Sequence, residues 1–138
     1  MTIQQTQTTS FKKELYQGIH DLSTDHIYIA LYTANASLNQ DTTVYSSTNE
    51  ITGTGYTAGG KQLLSPVISS SGYTAYVSFN NASWSGALTA RCALIYNASK
   101  ANRAIAVLDF GSNKTSTTTF TVTMPANTAD SALIRSSN

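Results

Sequence analysis

In the second half of the chain, short alternating runs of apolar and polar residues recur at intervals of roughly ten to fifteen residues, with turn-forming residues between them. Residues 73–80 place Ala75, Val77 and Phe79 on one face. Residues 87–96 place Leu88, Ala90, Cys92, Leu94 and Tyr96 on one face, with Thr89, Arg91, Ala93 and Ile95 opposite. Residues 103–110 (RAIAVLDF) form a strongly apolar run, residues 118–125 align Phe120, Val122 and Met124, and residues 131–136 close the series. Residues 61–70 read as a strand that Pro66 confines to an edge or a bulge, because proline donates no ladder hydrogen bond. Turns are expected at 70–72, 97–102 and 111–117, and a loop carrying the only tryptophan, Trp84, at 80–86. Evenly spaced strands of this kind predict an all-β fold, an antiparallel β-sandwich or jelly-roll-like barrel.

The first half is organised differently. Residues 1–9 are polar and aperiodic, which predicts a flexible N-terminal arm, disordered or ordered by a partner. Ser10 reads as an N-cap, and Phe11, Leu15, Ile19 and Leu22 make one apolar stripe of about three helical turns, with Gly18 weakening its end. Residues 26–33 (HIYIALYT) alternate Ile27, Ile29 and Leu31 against Tyr28, Ala30 and Tyr32. Neither face is polar, so this strand is expected to be buried on one side and covered on the other. Residues 34–60 form a long polar stretch, expected to be a flexible, partner-contacting excursion with a short strand near 43–46. The expected domain organisation is an arm over 1–9 and a single β-sandwich domain over 10–138.

The excursion ends in residues 51–64 (ITGTGYTAGGKQLL), which hold Gly53, Gly55, Gly59 and Gly60 around Tyr56. Gly55 to Lys61 spells G-x-x-x-x-G-K, the phosphate-loop pattern. That loop needs Ser or Thr after the lysine, a buried strand before it and a helix after it. Here Gln62 stands after the lysine, a polar run precedes the loop, and Pro66 breaks the segment where the helix would have to form. The phosphate reading fails on all three counts. Glycines this dense still require positive φ or close approach to a neighbouring surface, and Tyr56 and Trp84, both in loops, are the aromatics expected to contact a partner.

Only 11% of residues are charged and the formal net charge is +1, while Thr and Ser make up roughly a quarter of the chain, far above ordinary usage. A neutral, hydroxyl-rich surface steers neither nucleic acid nor anionic membrane toward it. Cys92 is the single cysteine, so no internal disulfide can form, and its strand position favours a buried small hydrophobe over a reactive thiol. The N-terminal residues lack the basic and apolar regions of a signal peptide, and no apolar run approaches bilayer length. His20 and His26, with Asp21 and Asp25 beside them, fit no metal-ligand or nucleophile–base pattern and read as solvated loop residues. No G-x-S-x-G elbow occurs, and the seven acidic residues give no pairing signal for glycoside cleavage. Catalytic, cofactor and metal residues are therefore none. Arg91, the odd charge in its strand, is expected to pair with a carboxylate or an interface carbonyl.

Four strings, ITGTGYTAGGKQL, TAYVSFNNASWSGALTARCALIYN, AIAVLDFGSNKTST and FTVTMPANTADSALIR, resemble a family of short virion structural proteins of tailed double-stranded DNA bacteriophages. The resemblance runs from Phe11 to Arg135. It implies a non-enzymatic particle component, synthesised in the host bacterial cytoplasm and carried on the capsid surface. The role it suggests is a decoration (cement) protein bound to the major capsid protein or other virion proteins, and to itself as a trimer or dimer. A neck or tail-associated protein, a head-fibre protein, or a carbohydrate-binding module stacking sugars on Tyr56 and Trp84 are the rival roles. The interface residues expected from the loops and strands are Gly53, Gly55, Tyr56, Gly59, Gly60, Trp84 and Arg91.

Overall fold

A computed structural model describes residues 3–136. Its central layer is a five-stranded antiparallel sheet. β2 (Ile27–Tyr32), β7 (Thr89–Asn97) and β8 (Arg103–Thr115) form the middle, with β1 (Thr6–Gln7) outside β8 and β3 (Lys61–Gln62) outside β2. A three-stranded sheet sets β5 (Thr74–Ser78) between β4 (Val67–Ser71) and β10 (Ile134–Ser136), and β6 (Ala82–Ser85) pairs with β9 (Thr119–Val122). The mostly β, antiparallel architecture with one short helix is the fold class that the strand spacing predicts.

Strand parity explains the layering. Ile27, Ile29 and Leu31 face a core built with Ala93, Ile95 and Ile105 from the same sheet, and Val77, Trp84, Phe120, Val122 and Ile134 from the two smaller sheets. Each of the larger aliphatic or Phe side chains among them, fully buried, contributes about 1.5–3 kcal/mol. Tyr28, Ala30 and Tyr32 face the other way, into a second cluster with Cys92, Leu94, Tyr96 and Ala104. Ala36, Leu38 and Tyr45 of the long polar stretch cover that cluster. The stretch is thus a lid on the sheet's second face. It is tied down by bridges from Glu50 to Tyr32 and from Val44 to Arg103, the latter standing where a short strand was expected.

Several expectations are corrected. Most of the N-terminal arm is placed by the chain itself: Thr6 and Gln7 pair with Val107 and Ala106, and Ile3 bridges Leu38; residues 1 and 2 lie outside the described residues. The helix, α1 (Thr9–Tyr16), is capped by Thr8, whose Oγ1 accepts from the Phe11 N–H at 3.2 Å. It stops after two turns, where Gly18 at φ 70 lets the Gly18 and Ile19 amides donate back to Leu15 and Glu14. Ile19 and Leu22 therefore lie beyond the helix. In β7 the register shifts between Ala90 and Cys92. Between the pairs Ala90–Lys114 and Cys92–Asp109, β8 has three more residues than β7, and across this irregularity the alternation of β7 inverts, so Ala90 joins the first core while Cys92, Leu94 and Tyr96 join the second. Residues 61–70 split at Ser65 (φ 57) and Pro66, so β3 and β4 belong to different sheets.

Candidate interaction surface

The expected interface turns inward. An alanine Cβ at Gly55 would lie 1.8 Å from the Ser85 carbonyl oxygen, and one at Gly60 would lie 1.8 Å from that of Ile29. The neighbour these glycines approach is the chain's own backbone. Gly53 and Gly59 lie instead against side chains, the Leu88 methyl at 2.9 Å and the Tyr96 hydroxyl at 3.4 Å from an added Cβ.

Tyr56 belongs to a knot of phenols around the half-buried Glu50. The Glu50 carboxylate accepts from the Tyr45 hydroxyl at 2.5 Å, from the Gly59 N–H at 2.8 Å and from the Tyr56 hydroxyl. The Tyr56 oxygen accepts from the Leu31 N–H at 3.0 Å, and the Tyr96 hydroxyl donates to the Gly59 carbonyl at 2.6 Å. Tyr45 stacks on Tyr96 with centroids 4.7 Å apart. Burial, followed by the Glu50 charge, pushes the Tyr96 phenol up to about 12 and raises Tyr32, Tyr45 and Tyr56 as well. The knot locks the long stretch to the sheet.

Trp84 lies in β6, not a loop, and is 4% exposed, edge-on to Phe120 and tilted against Tyr56. The Lys61 ammonium sits 5.5 Å above its ring and donates to the Ser83 carbonyl. The stacking face that a sugar would need is occupied. Arg91 pairs with Asp109 at 3.3 Å, the carboxylate partner expected for it. Cys92 is fully buried, and burial with the nearby Asp109 charge pushes its thiol up to about 12.

His26 is exposed, but the His20 side chain is completely buried, contrary to the solvated reading. Its Nε2 lies 2.8 Å from Glu14 Oε1, and Asn97 Nδ2 lies 3.0 Å from its Nδ1. Arg103 Nη1 donates to the other Glu14 oxygen at 2.9 Å. Asn97 Nδ2 also donates to Asp25 at 2.8 Å, and Lys100 Nζ bridges both Asp25 oxygens at 2.8 Å. Burial acts to raise the Asp25 carboxyl, but the Lys100 and Asn97 hydrogen bonds outweigh it and hold the group at about 2. This chain of polar contacts fastens α1 and the segment before β2 to the β7–β8 end of the sheet. No group of three or more His, Cys, Asp or Glu side chains that could hold a metal ion occurs among the described residues.

The outward-facing element is the β4–β5 hairpin. All five residues of β4 are at least partly exposed, with Val67 at 47% and Ile68 at 54%, and Tyr73 at the tip is 89% exposed. Ile68, Ala75, Val77 and Ile134 form one wall of a groove of about 450 Å³ whose opposite wall is Phe11, Leu15 and Leu22. Tyr16, 93% exposed, stands beside Leu15 at the groove's end. One sequence signal marks the region: residues 62–90 contain no charged side chain. In comparisons with known proteins, no family model matches the chain, and no curated protein or solved structure matches it.

Proposed function

We propose that this chain is a structural protein of a tailed-bacteriophage virion, a capsid decoration protein that binds across contacts between major capsid protein subunits. The observation that carries the reading is the apolar surface running from Tyr16 and Leu15 across the groove to Ile68 and on to Tyr73, with Lys12, Asp21 and Arg135 at its margins. Contiguous exposed apolar surface of this kind belongs to protein–protein contact. A clamp that binds through it draws affinity from apolar burial and from backbone pairing rather than from charge. The four sequence strings that resemble phage virion proteins supply the partner class. The sugar-binding alternative loses support from the burial of Trp84 and the engagement of Tyr56 within the fold.

The test is to image particles and to measure binding to shells stripped of this protein. Many copies distributed over the shell, with occupancy nearly constant from low to high salt, are expected. A few copies at one vertex would move the protein to the neck or tail, and steep loss of occupancy with salt would sink the apolar clamp. Leu15→Asp and Tyr16→Asp, both in exposed positions on α1, are expected to lower occupancy at least tenfold while leaving the melting temperature unchanged.

A further inference from the structure

We propose that the outer edge of β4 is a strand-addition site for a second copy of this chain, joined antiparallel about a two-fold axis at Ser69. The argument begins with how the sheet edges are guarded. Exposed strand edges carry unpaired amides and carbonyls, and proteins block them with short strands, charges or covering groups. β1 and β3 are two residues long, and β3 carries Lys61. β10 is three residues long and carries Arg135. The Ser83 carbonyl of β6 is taken by the Lys61 ammonium. β9 is uncharged but only four residues long. β4, with Pro66 just before its start, is the longer open edge: it is five residues long, uncharged, and exposes Val67 and Ile68 on opposite faces.

Charge and shape both favour a second copy as the occupant. A partner recognised by charge meets nothing to pair with in residues 62–90, whereas a copy of the same strand meets no like charge. With Ser69 opposite Ser69 of the second copy, Val67 lies opposite its Ser71 and Ile68 opposite its Ser70. Each branched side chain then stands across from a small one, the arrangement cross-strand packing accepts. The pairing fuses two three-stranded sheets into one of six strands and sets Val67 and Ile68 of each copy beside serines of the other, with their faces still open. Because the same edge is used by both copies, the assembly closes at two.

The proposal stands apart from the virion reading and is tested on the isolated full chain. Sedimentation equilibrium is expected to show a dimer. Ser69→Lys and Ser69→Asp each place like charges face to face across the axis, and each is expected to be monomeric with an unchanged circular dichroism spectrum. An equal mixture of the two is expected to dimerise again, an outcome that misfolding of either variant could not produce. Ser69→Cys is expected to form a disulfide-linked dimer on oxidation, with the buried Cys92 unreacted. A monomeric wild-type protein, a trimer, or a dimer that persists in both charge variants would overturn the proposal. So would a dimer that Ser69→Cys fails to cross-link. A monomer that still decorates shells overturns the dimer alone, and a dimer that never binds shells overturns only the virion reading.

Discussion

The glycine-rich loop over residues 51–60 and the β4–β5 hairpin look alike in sequence and behave oppositely in structure. Both are rich in small and hydroxyl-bearing residues and carry an aromatic side chain near a tight turn. In the loop, Gly55 and Gly60 let backbone press on backbone, and Tyr56 is consumed by Glu50 and Leu31. In the hairpin, the turn at Gly72 meets nothing, and Tyr73 reaches solvent. Glycine density therefore marks where the chain touches itself. The surface that faces solvent at the hairpin is marked by absence of charge beside branched apolar residues.

The comparison can be broken most sharply at its glycines. Gly60→Ala drives a Cβ into the Ile29 carbonyl at positive φ, and a loss of ~4 kcal/mol or more is expected in urea unfolding. Gly72→Ala, also at positive φ but in open space, should lose only about 1–2 kcal/mol. Equal effects at the two positions would mean that the loop is not pressed against β2.

The aromatics give the next contrast. Truncating Trp84 to alanine removes a side chain that is buried against Phe120 and Tyr56, with an expected loss of ~3–5 kcal/mol. Tyr73→Ala should stay within ~0.5 kcal/mol of wild type, as exposed positions do. Glu50→Gln sharpens the picture of the loop. It weakens a charged acceptor of three hydrogen bonds, so thermal melting should report a loss of about 1–3 kcal/mol.

The last contrast depends on pH. No carboxylate or histidine lies in the hairpin itself; Asp25, in the segment before β2, is different. Its folded-state carboxyl titrates at about 2, below its ordinary 3.8. The stability it contributes is complete above the ordinary value and is lost as pH falls through the folded one. Asp25→Asn should therefore flatten the fall of the denaturant midpoint across that window. An unaltered acid slope in the variant would show that the Lys100 contact contributes nothing.

Much of the fold was legible because period-two alternation is decided by local sequence. β2 and the run through Phe120, Val122 and Met124 bury the faces their alternation assigns. Alternation misled in β7, where the irregular pairing with β8 around Arg91 inverts the parity and nothing local announces it. β6 was hidden because Asn80, Asn81 and Gly86 surround a four-residue strand with turn residues. The arm looked disordered because its order comes from β8, about a hundred residues away. At the surface the same distinction holds: Arg91's carboxylate was foreseeable from burial cost. Tyr56 and His20 each meet a carboxylate six residues away, Glu50 and Glu14, whereas Leu31, Asn97 and Phe120, which complete the surroundings of Tyr56, His20 and Trp84, lie in distant segments that no local pattern names.

The pairing of Thr6 with Val107 and of Tyr32 with Cys92 also sets an order of events during synthesis. β2 leaves the ribosome as six largely apolar residues whose neighbour β7 is encoded some sixty positions later. At about 5–20 residues per second, that strand waits several seconds without its partner, and β1 waits longer still. Topologies dominated by such distant pairings fold slowly. In the nascent chain the strand at risk of aberrant association is therefore β2, the one that ends most deeply enclosed.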